Sequence, residues 1–201
     1  MPDSLSITVF PDGPIKVSNA QSVKYCGERI QMEGDIFLCR CGESSNAPFC
    51  DGSHKAVGFK GSAEREPRNT IKTWEGNTVR TFFNQSACMH VFACKPLKEL
   101  REAELAGDAS AADEIMRVVG LCPSGALSYE TKEDIEAPTL PQLDADVEIM
   151  EGGEVRVQRA FEINAERLER ANAERATLCR CGLSKNKPWC DGRHTARKDF
   201  R

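Results

Sequence analysis

The sequence predicts an α+β chain: a β-rich, pseudo-twofold body built from two related half-domains, with a small α+β insertion between them. Three observations predict it. The stretches "CRCGESSNAPFCDGSH" (Cys39–His54) and "CRCGLSKNKPWCDGRH" (Cys179–His194) agree at eleven of sixteen positions with a constant offset of 140 residues. The same offset carries upstream without a gap, from "DGPIKV" (Asp12–Val17) to "GGEVRV" (Gly152–Val157). In both, turn residues precede β-branched residues that alternate with charged ones, the mark of a turn entering a strand. Between the copies the pattern changes to helical spacing. A unit of about fifty residues buries too little core to stand easily alone. Two units pairing within one chain, each stapled by a metal centre, resolve that, so the expected state is a monomer acting as an intramolecular pseudo-dimer.

The first half-domain spans 1–66 and the second 149–201, the copies losing register where "GFK" (Gly58–Lys60) faces "KDF" (Lys198–Phe200). The insertion occupies 67–136. In it, "IKTWEGNTVRTFFN" (Ile71–Asn84) reads as a hairpin turning at Gly76-Asn77. Leu97–Ala106 and Ala111–Val119 have helical spacing, broken at Gly107-Asp108, and Ser128–Glu130 returns as a short strand. The Pro-containing run "APTLPQLDAD" (Ala137–Asp146) marks a linker over 137–148, and "NAERLERANAER" (Asn164–Arg175) a charged helix with a solvated face.

No apolar run approaches the roughly 18–20 residues that span a bilayer, and the start "MPDSLSITVFPDG" has neither a secretory nor a transit plan. A net charge of −4 gives no reason to expect nucleic acid. The expectation is a cytoplasmic protein with no membrane and no nucleic-acid partner. Ten cysteines then become informative, because nine fall in three groups: Cys39, Cys41, Cys50; Cys88, Cys94, Cys122; and Cys179, Cys181, Cys190. Without a secretion signal such groups indicate metal rather than disulfides. The tenth, Cys26, has Glu166 at its offset position and reads as a buried structural cysteine.

Each cassette runs Cys-x-Cys, eight residues, Cys, three residues, His. A Cys-x-Cys pair closes one mononuclear tetrahedral site poorly, but supplies two thiolates to one iron of a dinuclear cluster. Cys50 and His54 would then serve the other iron, giving a [2Fe–2S] centre with three thiolates and one imidazole. Neutral imidazole in place of a thiolate raises the potential above that of plant-type ferredoxins and adds a protonatable ligand. Structural zinc is the competing reading. Around the ligands, Asp51 and Asp191 are placed to cap a short helix, Gly52 and Gly192 to allow close backbone approach, Ser44 and Ser184 to bond sulfur, and Pro48 and Pro188 to stiffen the loop.

These residues resemble, at every defined position of the first copy, the signature of the CDGSH iron–sulfur (mitoNEET-like) family; the second departs once, with Arg193 before His194. The resemblance implies one [2Fe–2S] cluster on Cys39, Cys41, Cys50 and His54, and another on Cys179, Cys181, Cys190 and His194. It also implies a β-rich dimer-like fold and a role in electron transfer or in pH- or redox-gated cluster donation. Charge separates the copies. Arg40, Lys55 and Lys60 against Glu43 and Asp51 leave +1 over 39–60. Arg180, Lys185, Lys187, Arg193, Arg197 and Lys198 against Asp191 and Asp199 leave +4 over 179–200. That count predicts a higher potential, or a more acidic partner, for the second centre.

The middle segment carries "CMHVFAC" (Cys88–Cys94) and "LCPSGALSY" (Leu121–Tyr129), with Val91 standing where a ferredoxin has its second cysteine. It resembles a divergent single-cluster ferredoxin domain. Cys88, Cys94 and Cys122 would suit a [3Fe–4S] cluster, or a [4Fe–4S] cluster with an outside fourth ligand; the alternative is a relic fold whose cysteines only pack. The expected role is one-electron transfer to a soluble redox partner. Cluster storage or delivery to an apo-protein, and a cluster-stapled sensor or scaffold, are the other readings. No acid–base or nucleophile constellation stands apart from the metal ligands, so an enzyme is not expected.

Overall fold

The computed structural model describes residues 4–64, 70–132, 145–165, 172 and 174–197. Residues 166–171 and 173 of the expected helix over 164–175, and most of the linker, lie outside them. The first half holds β1 (Leu5–Val9), β2 (Ile15–Ser18), β3 (Val23–Tyr25), β4 (Glu28–Ile30), β5 (Ile36–Leu38) and the one-turn helix α1 (Ser53–Ala56). The middle holds β6 (Ile71–Glu75), β7 (Val79–Asn84), α2 (Leu97–Leu105), α3 (Ala109–Gly120) and β8 (Leu127–Thr131). The second half holds β9 (Val147–Ile149), β10 (Val155–Val157), β11 (Phe161–Ile163) and β12 (Ala176–Leu178). The chain is thus α+β and mostly sheet. No described helix is long and apolar enough to cross a membrane.

Alternation decides which side chains face inward. Leu5, Ile7, Ile15 and Val17 in the first half, and Val147, Ile149, Val155 and Val157 in the second, are buried in one common core. Burying each such side chain contributes about 1.5–3 kcal/mol, so neither set is stable facing water. One sheet has the order β11-β1-β2-β5 and the other β12-β10-β9-β3-β4. The halves therefore exchange strands. β11 lies parallel to β1 with Ile7 opposite Ile163, and β3 lies parallel to β9 with Val23 opposite Val147. Moving each residue by 140 turns the first pair into the second. The exchanged strand covers an edge that each half would otherwise leave unpaired. β9 begins at Val147, inside the stretch expected to be linker, because Val147 and Ile149 fill the gap between β10 and β3.

The insertion folds as its sequence predicts. β6 and β7 form the hairpin, β8 pairs with β7, and α2 and α3 pack on them around Val79, Leu97, Ile115, Met116 and Val119. Asp108 caps α3 by accepting the Ser110 N–H at 2.9 Å. Buried Glu104 of α2 accepts the N–H groups of Asn77 and Thr78 at 2.8 and 2.6 Å, tying the hairpin turn to the helix.

Candidate metal centres

Each cassette begins where a strand runs out. After β5, Leu38 makes an isolated antiparallel bridge with Phe49. The Cys39 N–H donates to the Pro48 carbonyl and the Cys50 N–H to that of Phe37, both at 2.8 Å. The loop between them thus doubles back and returns Cys50 alongside Phe37, at the end of β5. The second cassette repeats this: Leu178 bridges Trp189, Cys179 donates to Pro188, and Cys190 to Thr177.

The candidate side chains approach one another in pairs. Cys39 and Cys41 Sγ are 3.6 Å apart, and Cys50 Sγ is 3.4 Å from His54 Nδ1. In the second cassette the distances are 3.9 Å for Cys179–Cys181 and 3.4 Å for Cys190–His194 Nδ1. Backbone N–H groups already point at sulfur: Gly42 at Cys39 (3.3 Å), Glu43 at Cys41 (3.5 Å) and Gly192 at Cys190 (3.4 Å). Burial pushes the Cys41 thiol up to about 11 and the Cys190 thiol higher still. The contact between the two sulfurs splits their affinities for protons, with Cys179 brought down to about 6 and Cys181 driven up. Such a pair gives up one proton readily and holds the second until a cation takes its place. Three soft donors, one imidazole nitrogen and inward N–H groups fit an iron–sulfur cluster.

Several smaller expectations come out differently. The hydroxyls of Ser44 and Ser184 do not bond sulfur, although the Ser184 backbone N–H reaches Cys179. Both hydroxyls donate to the carbonyls of Phe49 and Trp189 at 2.6 Å and accept the N–H of Asn46 and Asn186 at 3.1 Å, closing the loop on itself. Asp51 acts one residue before the cap, accepting the N–H groups of Ser45 (2.8 Å) and Ser53 (3.0 Å). Hydrogen bonds from Ser53 first, then Ser45, hold its carboxyl down near 2. The cap itself is Gly52, and the matching turn Arg193–Ala196 is a 3₁₀ turn rather than an α-helix. Cys26 is exposed, not buried, because it sits in the tight turn between β3 and β4.

The cassettes meet back to back. Cys41 and Cys181 face each other in an antiparallel bridge. A Cβ on Gly42 would lie 2.7 Å from the Cys181 carbonyl, and one on Gly182 would lie 2.6 Å from that of Cys41. Both glycines also have positive φ, 83° and 78°. Gly182→Ala is therefore expected to destabilise the chain by about 2–4 kcal/mol, from the left-handed backbone and the clash together. An unchanged urea midpoint would show that the close approach is not needed.

Arg40 and Arg180, the residues inside each Cys-x-Cys, are almost fully buried. Arg40 Nε donates to Gly13 O at 2.9 Å, Nη2 to Phe10 O at 2.8 Å and Nη1 to Gly61 O at 3.2 Å. Arg180 bonds Gly153 O and Met150 O in the same way. Burial pushes both guanidinium groups down. Cys179 of the opposite cassette pushes back on Arg40; on Arg180 Tyr25 pushes back first and Cys39 of the opposite cassette after it. Each buried cation thus has a cysteine of the other copy within electrostatic reach. Their identity in both copies is the signal in the sequence that marks them.

The added positive charge of the second cassette is largely paired. Lys185 meets Glu64 at 3.5 Å, Arg193 meets Asp191 at 3.0 Å and Arg197 meets Glu43 at 2.7 Å. Lys198 and Asp199 lie outside the described residues. Glu154 was also missed: it is buried, with Oε2 3.5 Å from His194 Nε2.

In the insertion, Cys88, Cys94 and Cys122 line one small cavity together with the loop from Met89 to Ala93. Burial pushes the Cys88 thiol up, and the thiols of Cys122 and Cys94 add to it. The His90 N–H points back at Cys88 Sγ at 3.3 Å. Val91 and Phe92 are exposed, at 46% and 72%, so the place of the missing cysteine opens outward. This loop packs on the second cassette: the Met89 carbonyl fills the space that a side chain on Gly192 would need, and Asn186 Nδ2 donates to Ser86 O at 2.8 Å.

Each cassette loop brings its cysteines and histidine together in pairs, and in the insertion the 88–94 loop and the turn after α3 bring Cys88, Cys94 and Cys122 to one cavity. Residues 12–55 and 146–195 match the family described as iron-binding zinc finger CDGSH type, and 74–132 match the divergent 4Fe-4S mono-cluster family. The chain belongs to the CDGSH family as a tandem iron–sulfur protein with a divergent 4Fe–4S domain between its two CDGSH domains. No curated protein and no solved structure matches it.

Proposed function

We propose that this protein carries single electrons between soluble partners, in the cytoplasm and without catalysing a reaction of its own. One [2Fe–2S] cluster is held by Cys39, Cys41, Cys50 and His54, the other by Cys179, Cys181, Cys190 and His194. The two halves form a pseudo-twofold body whose axis passes between Cys41 and Cys181. Cys88, Cys94 and Cys122 hold a third cluster, [4Fe–4S] or [3Fe–4S]. The clusters supply reversible one-electron chemistry. The residues bury most of the thiolates, aim N–H groups at sulfur, and leave each histidine one ring nitrogen for a proton.

The observation that supports electron transfer is contiguity. The cassettes touch at Cys41 and Cys181, and the Cys88 loop touches the second cassette at Gly192. Three centres in one row, the second cassette in the middle, suit a relay better than storage. Delivery to an apo-protein is the second reading, and it favours the first cassette, where Cys50 is only half-buried while Cys190 is buried.

Iron and sulfide counts joined to spectra test this. Purified protein is expected to absorb between about 400 and 550 nm, to contain about seven or eight irons per chain, and to be reduced and reoxidised without losing iron. About four irons would remove the third cluster. A colourless protein holding zinc would remove the proposal.

A further inference from the structure

His54 and His194 occupy equivalent places, but what faces the outer nitrogen of each ring differs. Nδ1 of His194 lies 3.4 Å from Cys190 Sγ, and on the other side of the ring Nε2 lies 3.5 Å from Glu154 Oε2. The Glu154 carboxylate is 3% exposed, and its second oxygen accepts from Arg156 Nε at 2.7 Å. It stands in the turn between β9 and β10, anchored by Arg180, which bonds the Gly153 carbonyl next to it. The first cassette has Pro14 at the matching position. There His54 Nε2 faces Gly13, on which even an added Cβ would stop 3.9 Å away, so glycine offers it no side-chain acceptor.

We propose that Glu154 is a positioning residue for the second centre alone. It accepts the Nε2–H of His194, so that the ring presents Nδ1 to iron, and its fixed negative charge sets the reduction potential of that centre below that of the His54 centre. The inference rests on the reading of both cassettes as [2Fe–2S] sites. A ring N–H held by a carboxylate makes the imidazole a stronger electron donor, and a reduced cluster beside a buried anion is disfavoured. Of the cations that a simple charge count sets against this, Lys185, Arg193 and Arg197 are in ion pairs, while Arg180 and Lys187 donate to backbone carbonyls. Arg156 offsets only part of the carboxylate's charge, because the same guanidinium also faces Glu148 at 3.9 Å. The order of potentials is the reverse of the one the count predicts.

A redox titration of the full chain followed by EPR tests it. Wild-type protein is expected to show two separate one-electron steps in its [2Fe–2S] signals. Glu154→Gln should raise the lower step by at least tenfold in its equilibrium constant, about 59 mV for a one-electron couple, and leave the upper step in place. Glu154→Asp, which keeps the charge but withdraws it by one methylene, should restore part of the difference. Pulsed EPR should show a changed nitrogen coupling for one histidine of two. Loss of iron from one centre only in Glu154→Gln would equally support the positioning role. Coincident steps in the wild type, or a substitution that moves both steps or neither, would overturn the inference while leaving two coloured clusters intact. A colourless protein would instead overturn the proposed function, and this inference with it.

Discussion

Arg40→Met is expected to destabilise the folded chain by about 3–5 kcal/mol and to weaken metal retention in the opposite cassette. Its guanidinium satisfies the carbonyls of Gly13, Phe10 and Gly61 at once, and it lies over the Phe59 ring at 5.2 Å from the centroid. A charge-assisted hydrogen bond contributes about 1.5–3 kcal/mol, and each buried carbonyl left bare costs about 1–3 kcal/mol. Methionine fills much of the volume but replaces none of the donors. The turn between β1 and β2 would then open, and with it the floor under His54. The second part of the effect follows from the charge acting on Cys179: without Arg40, a buried anionic centre loses a compensating cation. Chemical denaturation of metal-free and loaded protein separates the two. Arg40→Lys is the informative control, because a lysine keeps the charge but cannot fork to three carbonyls. If it restores metal retention without restoring stability, charge and fork have separate roles. A methionine variant with unchanged stability would show that the turn does not depend on the arginine.

The second large effect concerns the histidines. His54→Cys and His194→Cys together are expected to lower both [2Fe–2S] potentials by roughly 100 mV or more, since an anionic thiolate replaces a neutral imidazole at each cluster. The pH dependence of both potentials should vanish with the ring nitrogens that carry it. Delivery of clusters to an acceptor at mildly acid pH should stop for the same reason. Each single variant should move only its own step, which assigns the two steps to the two cassettes. Cys50 Sγ and His54 Nδ1 sit 3.4 Å apart, so the substituted position lies beside the thiolate it is expected to join. Potentials unchanged in the double variant would show that the histidines are not ligands.

Local patterns were legible and partner choice was not. The hairpin over Ile71–Asn84, both helices of the insertion and its returning strand follow from turn residues and spacing that act within a few positions. The pairing of each cassette's ligands also follows, because Cys-x-Cys and Cys-x3-His reach only so far. The exchange of β3 and β11 between the halves left no mark. "DGPIKV" and its copy predict strands, but nothing within a strand names the edge that it will cover. The role given to Ser44 and Ser184 failed because a hydroxyl beside a thiolate can equally close its own loop, and the nearer carbonyl won. Glu154 lay in plain view as a mismatch, proline in one copy and a carboxylate in the other. Its meaning depends on a fold that sets residue 154 over residue 194, forty positions away in the sequence.

The exchanged strands also govern how the molecule is made. Leu5 pairs with Phe161, so β1 leaves the ribosome long before its partner exists. At about 5–20 residues per second the wait is roughly 10–30 s. Throughout it the first half presents an open edge, while its own β3 has no β9 to join. The insertion, whose strands and helices contact one another locally, can complete itself in that interval and hold the two halves of one chain together. Without such a tether the open edge of a newborn first half would meet the second half of a neighbour as readily as its own.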